Sequence, residues 1–267
     1  MTPSAPKLVV KLGGTLLDEA ASRENIAAQL APLVSRGVRL VVVHGGGKQM
    51  TRYLADRGIE STFVNGLRVT GPATLDAILK VFTGTVNHEL VATLNRAGAL
   101  AVGLSGIDAL LAEAEQMNPD LGAVGRVVKS NGALLDLLTE NGYLPVIACV
   151  AGDRQGRVYN VNADQMAVAC AAAFGAAELI FLTDVEGVLD DSRQVRPRLT
   201  TAESERLIRD GVATGGMQAK LNAAQTALRG GVARVLIAPG AGPRVIERIL
   251  SGESVGTQVV SSEVFAQ

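Results

Sequence analysis

The chain has 267 residues, enough for one large domain or two modest lobes around a sizeable core. Hydrophobic residues make up 48% and charged residues 19%, the balance of a globular chain and not of a disordered one. A net charge of −1 supplies no basic field for nucleic acid, and 3% aromatics with no tryptophan argues against base-stacking platforms.

The longest apolar runs, such as "LIFLT", fall far short of the roughly 20 residues of a membrane span. The N-terminal "MTPSAPK" has no apolar signal core, so the expected location is the cytoplasm, with no membrane partner. Cys149 and Cys170 have no close spacing and are expected to be small buried hydrophobes.

Short β-branched runs alternate with longer helical patterns. "KLVVKL" (7–12) reads as a strand, and residues 21–37 as a helix stopped by Gly37. "VRLVVVHGGG" (38–47) is a second strand ending in glycines, and residues 48–58 a second helix. "STFVNGLRVT" (61–70) breaks the rhythm with Asn65-Gly66, a hairpin signal. Residues 71–98 form one long helical region, and "ALAVGLSG" (99–106) a buried strand. The stretch 107–130 reads as a small hairpin region outside the main sheet. A helix over "NGALLDLLTENG" precedes a strand over 143–152 and an Ala-rich helix over 162–176.

From residue 177 the pattern restarts with a strand and an acidic loop. Helices follow near 200–210 and 217–230, then the strand "ARVLIAPG", the helix "PRVIERILSG" and a last edge strand "GTQVV". This βαβ rhythm implies a parallel sheet with helices on both faces. The restart near 177 marks a lobe boundary. No linker separates the lobes, so they are expected to share one continuous sheet.

Ligands of open α/β sheets bind beyond the carboxyl ends of strands. Two glycine turns sit at such ends: Gly13-Gly14 and Gly45-Gly46-Gly47. Glycine lets backbone N–H groups converge on an anion, and a following helix adds its positive N-terminus. Neither turn matches G-x-x-x-x-G-K-[ST] or G-x-G-x-x-G, which argues against a P-loop NTPase and a Rossmann dehydrogenase. Lys11 interrupts an apolar strand just before its glycine turn. It either points to solvent or aims a cation into the crevice above the sheet. Lys220 follows "TGGM" at a helix start. Asp164 sits in "NVNADQMA", where Asn162 offers an N-cap and a first-turn carboxylate is favoured in any case.

Taken in order, Lys11-Leu12-Gly13-Gly14, His44-Gly45-Gly46-Gly47, Asn65-Gly66-Leu67-Arg68-Val69-Thr70, Asn160-Val161-Asn162-Ala163-Asp164, Asp184-Val185-Glu186-Gly187-Val188, Gly215-Gly216-Met217 with Lys220, and Gly256-Thr257 resemble the amino acid kinase family. The resemblance runs from about Lys7 to Val260. "NGLRVT" and "NVNAD" point to its branch acting on N-acetyl-L-glutamate. It implies transfer of phosphate from MgATP to the side-chain carboxylate of that amino acid, the second step of arginine synthesis. It implies a three-layer α/β/α sandwich with a mainly parallel sheet. Residues 1–176 would form the lobe that binds the acceptor and dimerises, and 177–267 the lobe that binds ATP.

The acceptor carboxylate has an ordinary pKa of about 4.3 and is ionised at neutral pH, so no general base is needed. Two histidines, neither in a triad-like setting, agree with that. The obstacle is the approach of an anion to a triphosphate, which positioning and charge stabilisation must overcome. The resemblance gives Lys11 the transferred phosphoryl oxygens, Lys220 the leaving side, and Asp164 the holding of both ammonium groups. Gly13, Gly14 and Gly46 would offer N–H groups to the moving phosphoryl group. Arg68 would take the α-carboxylate by a two-pronged bond, and Asn160 the backbone region or acetamide, with Gly45 and Gly46 lining the pocket. Asp184, Gly187 and Gly216 would meet the nucleotide. No carboxylate cage for a metal is visible, so Mg2+ is expected on the ATP phosphates and water. His44 and His88 read as structural.

Three positions depart from the family's usual pattern: Gly71 after "RVT", Lys48 after the triple glycine, and Asp108 with no following glycine. The rivals are a same-fold kinase for carrier-bound α-aminoadipate and a non-catalytic nucleotide-binding regulatory module. Arginine-sensitive relatives carry an extra N-terminal helix, and about six residues precede the first strand here, so an arginine-insensitive homodimer joined through the N-terminal lobe is expected.

Overall fold

The structure is a computed structural model and describes residues 5–262. The first four residues of "MTPSAPK", and the outer ends of the two lobes expected over 1–176 and 177–267, lie outside the described residues.

The first strand, β1 (Lys7–Leu12), is apolar on both faces except at Lys7, where it begins, and at Lys11, which suits a central position. After α1 (Ala20–Ser35), Gly37 takes φ +84° and turns the chain into β2 (Arg39–His44). The triple glycine then opens α2 (Gly47–Ala55). Asn65 and Gly66 both adopt positive φ and close the hairpin β3 (Phe63–Val64) and β4 (Leu67–Arg68), the geometry that an Asn-Gly pair favours. Gly71 precedes α3 (Pro72–Ile78), whose proline at the helix start costs no hydrogen bond.

The expected long helix is present, but its middle is π-helical. The segment Leu79–Val86 joins α3 to α4 (Asn87–Arg96). Next come β5 (Leu100–Ser105), β6 (Ala112–Gln116), β7 (Val124–Ser130), α5 (Gly132–Glu140) and β8 (Tyr143–Ala148). The strand read over 143–152 is broken at Cys149. Its second part, β9 (Val150–Gly152), leaves the main sheet and joins β10 (Val158–Val161). The order β10-β7-β6-β9 makes a small closed sheet over the region expected to lie outside the main sheet.

The remaining elements are α6 (Ala163–Phe174), β11 (Glu178–Thr183), β12 (Arg198–Thr200), α7 (Thr201–Arg209), α8 (Gly215–Arg229), β13 (Arg234–Pro239), α9 (Val245–Leu250) and β14 (Thr257–Val260). The eight-stranded main sheet runs β12-β14-β13-β11-β1-β2-β8-β5. Pairing is parallel from β13 to β5 and between β12 and β14, and antiparallel between β13 and β14. Helix α1 packs with α4 and α9 in one layer, and α5, α6 and α8 form the other. The sheet is continuous across residue 177, as expected: β1 pairs directly with β11.

Two strands differ from expectation. The strand at 100–105 is only partly buried: β5 ends the sheet, and Leu100 is 62% exposed while Ala101 and Ser105 are buried. Nor is "GTQVV" an edge: β14 lies between β12 and β13. Burial in a sheet follows strand order, which a local pattern does not encode.

Candidate active site

Lys11 follows from strand alternation. On β1, Val10 and Leu12 face one helical layer while Lys11 faces the other, where α6 packs. Lys11 is 7% exposed, and its ammonium lies 2.7 Å from Asp164 Oδ1. Asp164 occupies the first turn of α6, and Asn162 caps that helix by accepting from the Asp164 and Gln165 N–H groups. The expected cap is therefore present. Lys220, on α8, places its Nζ 3.4 Å from Asp164 Oδ2. One buried carboxylate thus separates two ammonium groups that reach it from β1 and from α8.

Burial alone pushes the Asp164 carboxyl up, but Lys11 and then Lys220 overcome it and hold the group below the usual carboxylate range. Of the two ammonium groups Lys11 is the closer, at 2.7 Å against 3.4 Å for Lys220. Asp164 is therefore ionised at neutral pH and committed to lysines.

Arg68 is 8% exposed and forms no ion pair among the described residues. Its Nη1 donates to Ser61 Oγ, and its Nη2 donates to Thr51 Oγ1 at 2.9 Å and Gly47 O at 3.3 Å. The guanidinium lies over the Phe63 ring. Burial pulls its pKa down. Neutral oxygens take three of the five N–H groups and leave the charge without a counter-ion, an arrangement that favours an incoming carboxylate. Thr70 Oγ1 donates to Arg68 O at 2.8 Å, and Asn160 Nδ2 donates to Thr70 Oγ1 at 3.0 Å. Arg68 and Asn160 are thereby tied into one chain through Thr70. Gly122 makes room for it: a Cβ there would stand 2.3 Å from Thr70 O.

The glycine turns behave differently from one another. Gly13 is a correction: its N–H donates to Leu182 O at 2.9 Å and is not free for an anion. A Cβ at Gly13 would touch Leu182 O at 3.0 Å, so the residue secures close packing against β11. Gly14 opens a short 3-10 turn, where the first N–H groups lack helical partners. Gly45 lies beside Ala163, the residue before Asp164, and a Cβ on Gly46 would meet Phe82 Cδ1 at 2.8 Å.

On the other rim, Asp184 follows β11, is exposed, and accepts from Thr183 Oγ1. Gly187 has φ +154°, and a Cβ there would stand 2.8 Å from Thr257 Oγ1, so packing already accounts for a glycine. Gly216 lies in the first turn of α8, one helical turn before Lys220, in open space.

His44 is fully buried, and His88 Nδ1 bonds back to the Thr83 and Gly84 carbonyls. Lys48 is exposed, 3.8 Å from Asp18, and Asp108 Oδ2 accepts from Ser105 N and Oγ. Both cysteines are buried and free. No cluster of three or more His, Cys, Asp or Glu among the described residues is placed to hold a metal. Sequence reasoning missed Thr70 as a link, and it missed Ser61 and Thr51, whose polarity carries no pattern. Thr70 was readable as the last residue of "NGLRVT", two beyond Arg68 and so on the same strand face.

Fold and site define a phosphotransferase class. The family model described as "Amino acid kinase family" matches residues 6–239, and the chain belongs to that family. It is 70% identical to an acetylglutamate kinase of Solibacter usitatus, over 96% of this chain and all of the relative. It is 40% identical to an acetylglutamate kinase of Nostoc punctiforme, over 96% of this chain and 88% of the relative. Among solved structures it resembles the N-acetylglutamate synthase of Neisseria gonorrhoeae complexed with coenzyme A and N-acetyl-glutamate, with TM-score 0.86 and 26% identity; it covers 96% of this chain but spans only 59% of that one. A carbamate kinase from Giardia shares the fold, with TM-score 0.73 and 15% identity over 97% of this chain and all of the other.

Proposed function

We propose that the protein phosphorylates the side-chain carboxylate of N-acetyl-L-glutamate with ATP, yielding N-acetyl-L-glutamyl 5-phosphate and ADP, a step of arginine synthesis. The observation that carries the reaction is Asp164 held between Lys11 and Lys220. The relatives' printed activity carries the acceptor.

The substrate carboxylate oxygen attacks the γ-phosphorus, forming an O–P bond. The bond from the γ-phosphorus to the bridging oxygen breaks, and ADP leaves with the electron pair. No proton is moved, because the acceptor is already an anion. Lys11 meets the transferred oxygens, Lys220 the leaving side, and Asp164 fixes both without neutralising the site completely. Such preorganised donors stabilise charge as it develops. Arg68 takes the α-carboxylate and Asn160 the acetamide or backbone region. Gly14 and Gly46 offer N–H groups, and Asp184, Gly187 and Gly216 border the nucleotide. Mg2+ arrives with ATP as part of the substrate, since Asp164 is already paired with lysines.

We place the enzyme in the cytoplasm; among the described residues no helix is long and apolar enough to cross a membrane. We assign it a homodimer joined through the N-terminal lobe. The free edge of β5, with Leu100 62% exposed and its partner Tyr143 on β8 42% exposed, supports that contact. Light scattering after size exclusion gives a dimer mass if this holds and a monomer mass if it fails.

The test of function follows ADP release with N-acetylglutamate, glutamate, N-acetyl-aminoadipate and aspartate, trapping acyl phosphate with hydroxylamine. Turnover and a hydroxamate with N-acetylglutamate alone are expected. Turnover only with another acceptor refutes the acceptor. ATP binding with no turnover at all refutes the kinase reading in favour of a regulatory module.

A further inference from the structure

The buried His44 has no role in the chemistry above, yet every polar atom on its ring is used. Nδ1 lies 2.8 Å from Gly45 O, and Nε2 lies 2.9 Å from Asn87 Nδ2. Asn87 Nδ2 also lies 2.9 Å from Val146 O. A carbonyl oxygen only accepts. Val146 O therefore fixes the nitrogen end of the Asn87 amide toward β8 and His44, so Nε2 must accept. Gly45 O likewise requires a hydrogen on Nδ1. Both constraints select the same neutral tautomer. Burial agrees, lowering the His44 pKa to about 4.

Asn87 can occupy this place because residue 103 is glycine. A Cβ on Gly103 would stand 2.1 Å from Asn87 Oδ1. The asparagine belongs to the first turn of α4, directly after the π-helical segment whose Phe82 and Val86 pack on Gly46. Two elements thus meet at the glycine loop: one supports its face and the other orients the histidine.

Among the described residues no peptide bond is cis, so the Gly45 carbonyl and the Gly46 N–H point in opposite directions. His44 draws that carbonyl down toward its ring. The Gly46 N–H is turned away from the α4 layer, and it has no acceptor among the described residues. The same peptide lies beside Ala163, next to the Lys11–Asp164 pair.

We infer that His44, locked by Asn87, is a positioning residue that turns the Gly45–Gly46 peptide so that the Gly46 N–H faces the transferred phosphoryl group. This rests on the kinase reading above. The donor is aimed before substrate arrives and costs no reorganisation during transfer.

The test separates the two ring contacts. Asparagine places its amide nitrogen where Nδ1 stood, so His44→Asn keeps the donor to Gly45 O. Glutamine reaches the Nε2 position, so His44→Gln keeps only the Asn87 contact. Loss of one such donor predicts kcat down roughly 10²–10³-fold in His44→Gln, with His44→Asn recovering at least about 10-fold of that loss and acceptor KM changing by less than about 3-fold in both. Equal kcat in the two variants, or a loss carried by KM, overturns the inference. A second measurement needs no variant: long-range ¹H–¹⁵N spectra of the labelled wild-type protein report the ring tautomer. The Nδ1–H form is expected, and the Nε2–H form overturns the inference even if both variants fold poorly. Wild-type turnover is scored separately: absence of turnover with N-acetylglutamate counts against the function, while the tautomer result stands by itself.

Discussion

Arg68 and Thr70 are buried and bonded in one chain to the half-buried Asn160, whereas Asp184 is exposed and Gly216 borders open space. Arg68 is held by Ser61, Thr51 and Gly47, lies over Phe63, and connects through Thr70 to Asn160. Asp184 has one short-range partner in Thr183. The contrast fits a division of labour. A small acceptor that must be told apart from its analogues needs buried groups already in place, because a buried polar group left unpaired penalises the wrong ligand. A nucleotide offers many handles, and its phosphates are met by charge.

The largest expected effect lies where the rims meet. Asp164→Ala leaves two ammonium groups facing each other without a counter-ion. It should lower kcat by on the order of 10³-fold and stability by about 3–5 kcal/mol, read by steady-state kinetics and denaturant titration. The pH dependence sharpens this. Because the folded-state pKa of Asp164 is depressed, its stabilisation is complete above the unfolded value of about 3.9 and is lost as pH falls through the lower folded value. The Tm gap between wild type and Asp164→Asn should be constant above about pH 5 and shrink below it. A gap that widens on acidification would contradict the assigned direction.

Lys11→Met should follow, with kcat down roughly 10²–10³-fold and the acceptor KM little changed. Arg68→Lys keeps the charge and loses the fork, so the acceptor KM should rise roughly 10–100-fold while the ATP KM holds. The smallest effect belongs to the open rim. Asp184→Asn should raise the ATP KM by no more than about 5-fold, the range of an exposed charge. If Asp184→Asn costs as much as Arg68→Lys, the contrast between the rims fails.

Much of this was legible in the sequence because it rests on local signals. The Asn65-Gly66 turn, the Asn162 cap and the βαβ alternation each depend on a few neighbouring residues, and each appears as read. Lys11 stood out because a lysine inside an apolar strand needs a partner, which Asp164 supplies. What the sequence concealed depends on distant neighbours. The exit of the chain from the sheet at Cys149 and the insertion of β14 between β12 and β13 are matters of strand order. The engagement of Gly13 N–H by Leu182 links residues far apart in sequence. Asn87 looked like any polar residue on a helix until His44 and Val146 were found around it.

The π-helical stretch at Leu79–Val86 also bears on how the chain tolerates changes of length. Such a stretch accommodates a surplus residue in an otherwise regular helix. Deleting one residue there would restore uniform winding and keep the two halves nearly in phase, whereas the same deletion in the regular turns would rotate one half against the other by about 100°. Phe82 and Val86 face Gly46, and Asn87 faces His44, from positions that this winding sets. An insertion or deletion in this helix is therefore not neutral bookkeeping when sequences are aligned. Misplacing the gap by one position swaps Asn87 for Val86 or His88 beneath the glycine loop, and with it a doubly bonded amide for a side chain that cannot hold the histidine's tautomer.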